Sequence, residues 1–146
     1  MPVNFLLYTS LMRLGAYYGD TFKIECPTGS GNLMTLFQVG KELGERLIGT
    51  FVKDSSGRRP VYGDAEKFQT DPHWKDNVLF FEYFHGDTGA GVGASHQTGW
   101  TGCIARIIQA NGAFDEKNIG EANIERRGIR LSQGLSAEEA SVVVTK

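Results

Sequence analysis

The chain has 146 residues, 15 Lys+Arg against 17 Asp+Glu, 40% hydrophobic and 22% charged residues, and a net charge of -2. That length suits one domain with a real core, and the charge argues against a nucleic-acid binder working through a basic face. No apolar run approaches the ~20 residues of a membrane span, and nineteen glycines, about 13%, are roughly twice the ~7% average.

The N-terminus has no basic residue before Arg13, so it is a poor secretory signal. Residues 3–18 place Val3, Leu7, Leu11, Leu14 and Tyr18 on one stripe, widened by Leu6 and Tyr17, which predicts a helix. Cys26, with the distant Cys103, forms no disulfide framework and suits a reducing cytoplasm. Pro27-Thr28-Gly29-Ser30-Gly31 is turn chemistry. The spacing of Leu33, Leu36, Phe37, Gly40, Leu43, Leu47 and Ile48 predicts a second helix, capped by Ser30 or Asn32.

Residues 54–77 are polar and read as a loop, with turn signals at Ser56-Gly57 and Asp71-Pro72. Residues 78–84 are apolar and aromatic, too short a run to tell a buried strand from a short helix. Glu82 lies inside that run, where an unpaired carboxylate is costly to bury; it faces outward, pairs with a cation, or is tuned for chemistry. Six glycines between Gly86 and Gly102 predict a long irregular loop, neither regular helix nor strand. It lacks the G-K-[ST] of a phosphate-binding loop, and the next helix starts too late for a dinucleotide fingerprint. Trp100, Ile104, Ile107 and Ile108 make a third helical stripe, with Cys103 as a small buried hydrophobe and a C-cap at Asn111-Gly112. Residues 113–146 are charged and poor in large apolar groups, and read as a mobile tail with a capping box at Ser136-Ala137-Glu138-Glu139.

His73, His85 and His96 match no compact metal motif, so no metal or other cofactor is expected. Trp74, Trp100, Tyr62 and Tyr83 lie close in sequence to Asp71, Gln97, Arg58 and Arg59. Aromatics mixed with polar groups suit a sugar site, where rings stack on C–H faces; they also suit an ordinary core.

The block Glu82-Tyr83-Phe84-His85-Gly86-Asp87-Thr88-Gly89-Ala90-Gly91-Val92-Gly93-Ala94-Ser95-His96-Gln97-Thr98-Gly99-Trp100-Thr101-Gly102 resembles the C-terminal end of glycosidases of glycoside hydrolase family 63, which includes processing alpha-glucosidases and mannosylglycerate hydrolase-like enzymes. Its order is also similar to the end of trehalases. Pro2 to Leu7, Tyr18-Gly19-Asp20, Glu25 to Gly31, Arg59 to Gly63 and Phe68 to Trp74 resemble preceding stretches of bacterial members. The likeness runs from about residue 2 to about 110.

The resemblance implies a mainly α fold: residues 1–112 as the last few helices of an (α/α) six-hairpin barrel with a long glycine-rich loop, and residues 113–146 as a separate polar tail. It implies an inverting glycosidase, in which one carboxylic acid protonates the leaving oxygen and one carboxylate activates water. Glu82 matches the general base, and Gln97 and Trp100, with Trp74 and Asp71 behind them, match substrate-binding positions. The family's general acid, an aspartate earlier in its much longer chain, has no counterpart here. The expected partners are an oligosaccharide or small glycoside and the missing part of the barrel. Neither nucleic acid nor membrane is expected, and the expected compartment is the cytoplasm.

Overall fold

The structure, a computed structural model, describes residues 1–113; residues 114–146, including the expected capping box and all but the first residue of the expected tail, lie outside the described residues. The described chain is mainly α. In order it forms α1 (Pro2–Tyr18), β1 (Lys23–Glu25), β2 (Leu33–Thr35), α2 (Leu36–Gly49), α3 (Glu66–Thr70), β3 (Tyr83–Phe84), β4 (Gly91–Val92), α4 (Thr98–Thr101) and α5 (Ile104–Ala113), with short 3-10 turns at Gly19–Thr21 and Pro60–Tyr62.

Helix α1 starts on Pro2, whose missing N–H costs nothing in a first turn. Its predicted extent agrees with the structure, but the inward side differs. Tyr8 and Gly15 are buried, with Phe5 and Met12 packed partly against the core, whereas Val3, Leu7, Leu14 and Tyr18 of the predicted stripe are exposed. Both sides of α1 are apolar, so periodicity alone could not choose between them. Gly15 lies against Phe37 and Gly40 against Met12, which brings the α1 and α2 backbones close.

Helix α2 begins three residues later than predicted. Leu33 is exposed in β2, which pairs antiparallel with β1 in the register Lys23↔Thr35, Ile24↔Met34 and Glu25↔Leu33. The cap is Thr35, neither Ser30 nor Asn32. Its hydroxyl accepts from the Gln38 N–H at 3.2 Å, and the Gln38 side chain accepts from the Thr35 N–H at 2.9 Å. This reciprocal box satisfies two otherwise orphan amides. In the β1–β2 connection, the Glu25 carboxylate accepts from Gly29 N–H at 2.7 Å and from Gly31 N–H.

The polar 54–77 segment is more ordered than predicted: it contains the Pro60–Tyr62 turn and α3. Gln69 organises it by accepting from Arg59 N–H at 2.9 Å and donating to Arg59 O at 3.0 Å, as a paired strand would. Helix α5 continues through the predicted cap at Asn111 and Gly112 to Ala113. Asn111 instead joins three helices. Its amide accepts from the Tyr8 hydroxyl at 2.9 Å and donates to Lys41 O at 3.2 Å. Cys103 lies in the turn before α5, half-buried, and burial raises its thiol pKa.

The core is Tyr8, Phe51, Val61, Tyr62, Ile104 and Ile107. Among the described residues no helix is long and apolar enough to cross a membrane.

Candidate active site

Residues 80–85 pair through their backbone with residues 90–97. Tyr83 pairs with Val92 and Phe84 with Gly91. Further along, Glu82 N–H donates to Ala94 O at 3.0 Å, His85 N–H to Ala90 O at 2.8 Å, and Gln97 N–H to Phe80 O at 2.5 Å. Thr101, fully buried, donates its hydroxyl to Phe81 O. The glycine-rich stretch is therefore not wholly irregular: it supplies β4 as the return strand of a hairpin, then the turn of α4. The 78–84 run forms no helix, and only its end, Tyr83–Phe84, is strand.

Two of its glycines are fixed by space. A Cβ on Gly91 would overlap the Phe81 ring. A Cβ on Gly93, whose φ is +78, would stand 2.6 Å from Tyr83 Cε1 and 2.8 Å from Glu82 Oε2. Glycine there lets the loop backbone pass directly beneath the carboxylate.

Glu82 is half-buried, and its Oε2 accepts from Ala94 N–H at 3.2 Å. The backbones of residues 82 and 94 and this side chain thus form a two-bond clamp that orients the carboxylate. Phe84 turns into the core, edge-on to Phe51 with ring centroids 5.5 Å apart. Tyr83, next to Glu82, is 52% exposed. The paired chain ends at Gln97, exposed at the start of α4, and α4 carries Trp100, also 52% exposed. His96 tilts against Phe80 with centroids 5.6 Å apart, and its Nε2 lies 3.1 Å from the Thr98 hydroxyl. Glu82 and Gln97 thus lie on one ladder of paired chain, and Trp100 follows in α4.

Asp71 and Trp74 belong to a different cluster. Asp71 Oδ1 accepts from His73 N–H at 2.8 Å, closing a local turn. Trp74 packs edge-on against Phe68 at 5.5 Å, with the Lys67 ammonium 5.4 Å from its ring. Phe68 in turn packs on Tyr62. Tyr62 is buried, donates its hydroxyl to Asn77 O at 3.1 Å and has its pKa raised by burial, so it fills the core. Arg58 is engaged with Glu66 at 2.9 Å, and Arg59 donates to Phe51 O at 2.7 Å. Among the described residues no group of three or more His, Cys, Asp or Glu is placed to hold a metal ion.

Nothing in the sequence marks Ala94's part, and His96 reads there as a loop histidine without its ring partner. Ala94 acts through its backbone, which no side-chain motif reveals. His96 joins the ladder through Phe80, a contact that only the pairing of 80 with 97 creates.

The chain matches no family model and no solved structure. It is similar to the uncharacterized protein YMR196W of Saccharomyces cerevisiae, 52% identical over 109 residues. The matched stretch is 73% of this chain and 10% of the yeast protein, so the chain spans about a tenth of its relative's length.

Proposed function

We propose that the chain is the C-terminal part of an inverting glycoside hydrolase of the family 63 type, with Glu82 as the base that activates water. The observation that carries the reading is the Glu82 to Gly102 block, read together with what that block builds. A carboxylate held by the Ala94 amide keeps one oriented face, as a general base needs. Exposed Tyr83 and Trp100 offer ring faces to a sugar, and Gln97 offers an amide for its hydroxyls. In this reading the general acid comes from another part of the barrel, and the chain by itself is expected to show no turnover.

The test uses an enzyme that contains both parts: the yeast relative with its matched segment replaced by this chain, assayed against glucosides, mannosides and trehalose. Glu82→Ala is expected to lower kcat by roughly 10²–10⁴-fold with an unchanged circular dichroism spectrum. Near-normal turnover sinks the assignment.

A second reading, a carbohydrate-binding or barrel-assembly segment without chemistry of its own, draws on the small share of the yeast protein that the chain spans. Calorimetry with disaccharides separates the two. Sugar binding that survives Glu82→Ala, with no turnover in the assembled protein, favours the second.

A further inference from the structure

Thr101 has no exposed surface. A buried hydroxyl is costly unless it finds a partner. A helical threonine ordinarily bonds the carbonyl four residues back. Here that carbonyl, Gln97 O, already accepts from the Trp100 and Thr101 N–H groups, each at 3.0 Å. The Thr101 hydroxyl donates instead to Phe81 O, twenty residues earlier in the chain.

That acceptor is one end of the peptide unit between Phe81 and Glu82. The other end, Glu82 N–H, donates to Ala94 O at 3.0 Å. A peptide unit is planar, so bonds at both ends fix its rotation. The Phe81 ring is hemmed in as well, since a Cβ on Gly91 would overlap it. Glu82 Cα is joined directly to this fixed plane, and the carboxylate beyond it meets the Ala94 N–H at 3.2 Å. Two of these three bonds are made by the Ala94 backbone, and the third by the Thr101 side chain. We infer that Thr101 is a positioning residue for Glu82: its hydroxyl fixes the plane from which the carboxylate is aimed. The inference rests on the reading of Glu82 as the base. Such a group has to be held within about 0.5 Å and 10–20° of its productive geometry, and a misplacement of about 1 Å costs up to about 10²-fold in rate.

The test removes the hydroxyl with Thr101→Val, close in shape but without the donor, and keeps it with Thr101→Ser. In an NMR pH titration of the 146-residue chain, the Ala94 amide proton should move as the Glu82 carboxylate that it bonds ionises. Thr101→Val should at least halve that movement, and Thr101→Ser should restore most of it. A merely structural role would lower the urea midpoint in both variants and leave the movement as it was. An unchanged movement in Thr101→Val overturns the inference, as does no movement in the parent chain. A movement lost in Thr101→Ser overturns it too, and this arm stands even where Thr101→Val does not fold. In the yeast protein carrying this chain in place of its matched segment, Thr101→Val should lower kcat about 10-fold or more, with KM within about twofold. Near-normal turnover in Glu82→Ala removes the base itself and leaves the Ala94 titration to judge Thr101. Turnover lost in Glu82→Ala but normal in Thr101→Val overturns the role of Thr101 alone.

Discussion

Gly93 is the residue on which the geometry of Glu82 depends. A methyl group there meets both the Glu82 carboxylate and the Tyr83 ring, and its backbone already sits at positive φ. Gly93→Ala is expected to cost about 1–3 kcal/mol and to displace the Ala94–Glu82 clamp. Urea unfolding measures the cost, and loss of protection at the Ala94 amide in hydrogen exchange reports the clamp. An unchanged midpoint with full protection would contradict the packing described. A second carboxylate makes a pH prediction. Amides of Gly29 and Gly31 donate to Glu25 and hold its pKa below the ordinary value of 4.5. A folded-state pKa below the unfolded one stabilises the fold above the unfolded value, and this contribution disappears as pH falls through the folded value. Stability should therefore fall on acidification from about pH 5 downward. Glu25→Gln should flatten that part of the urea-midpoint profile, and an identical slope in the variant would remove Glu25 from the account.

At the level of elements, α2 and α5 are joined through Asn111. A Cβ on Gly44 would stand 2.6 Å from Asn111 Oδ1 and 2.7 Å from its Nδ2, the atoms that bond Tyr8 and Lys41 O. Gly44→Ala should destabilise by about 1–3 kcal/mol despite the better helix propensity of alanine. Combined with Asn111→Ala the two losses should not add, because the clash disappears with the amide, and a double-mutant cycle by urea unfolding reads the coupling. Full additivity would place the two residues out of contact. The same elements show what was legible in the sequence. The extent of α1 follows from its 3.6-residue period, but not its inward side, because Val3 and Leu7 on one side and Phe5 and Met12 on the other give rival stripes. Leu33 extended the apparent period of α2 backward, and only the Thr35–Gln38 box marks the true start. The β3–β4 pairing was hidden because a glycine-rich strand carries no alternation to fix its register. Glu82, Gln97 and Trp100 fall in one block from 82 to 102, and the pairing of 80–85 with 90–97 joins the backbones that carry the first two, with Trp100 beyond it in α4. Trp74 packs instead on Phe68, and Asp71 closes a local turn with His73.

On the scale of the whole described fold, cohesion rests on a narrow core. Tyr8 comes from α1, Phe51, Val61 and Tyr62 from the segment after α2, and Ile104 and Ile107 from α5. The short helix α5 therefore supplies two of the six core residues. Ile107 has no exposed surface, whereas its neighbour Ile108 is 44% exposed. Ile107→Ala leaves a cavity that the surrounding helices cannot collapse into, costing about 2–5 kcal/mol. A domain of this size has about 5–15 kcal/mol of total stability, so this single change consumes a large part of it. Ile108→Ala, one position along the same helix, should stay within about 0.5 kcal/mol. Both substitutions remove the same atoms from the same helix, so propensity cancels and the difference isolates burial. Urea unfolding of the two variants should give midpoints far apart, with Ile108→Ala near the parent chain and Ile107→Ala well below it. Equal midpoints would mean that α5 does not close the core in the orientation described. A larger loss at Ile108 would mean that α5 is rotated, with its exposed side turned inward.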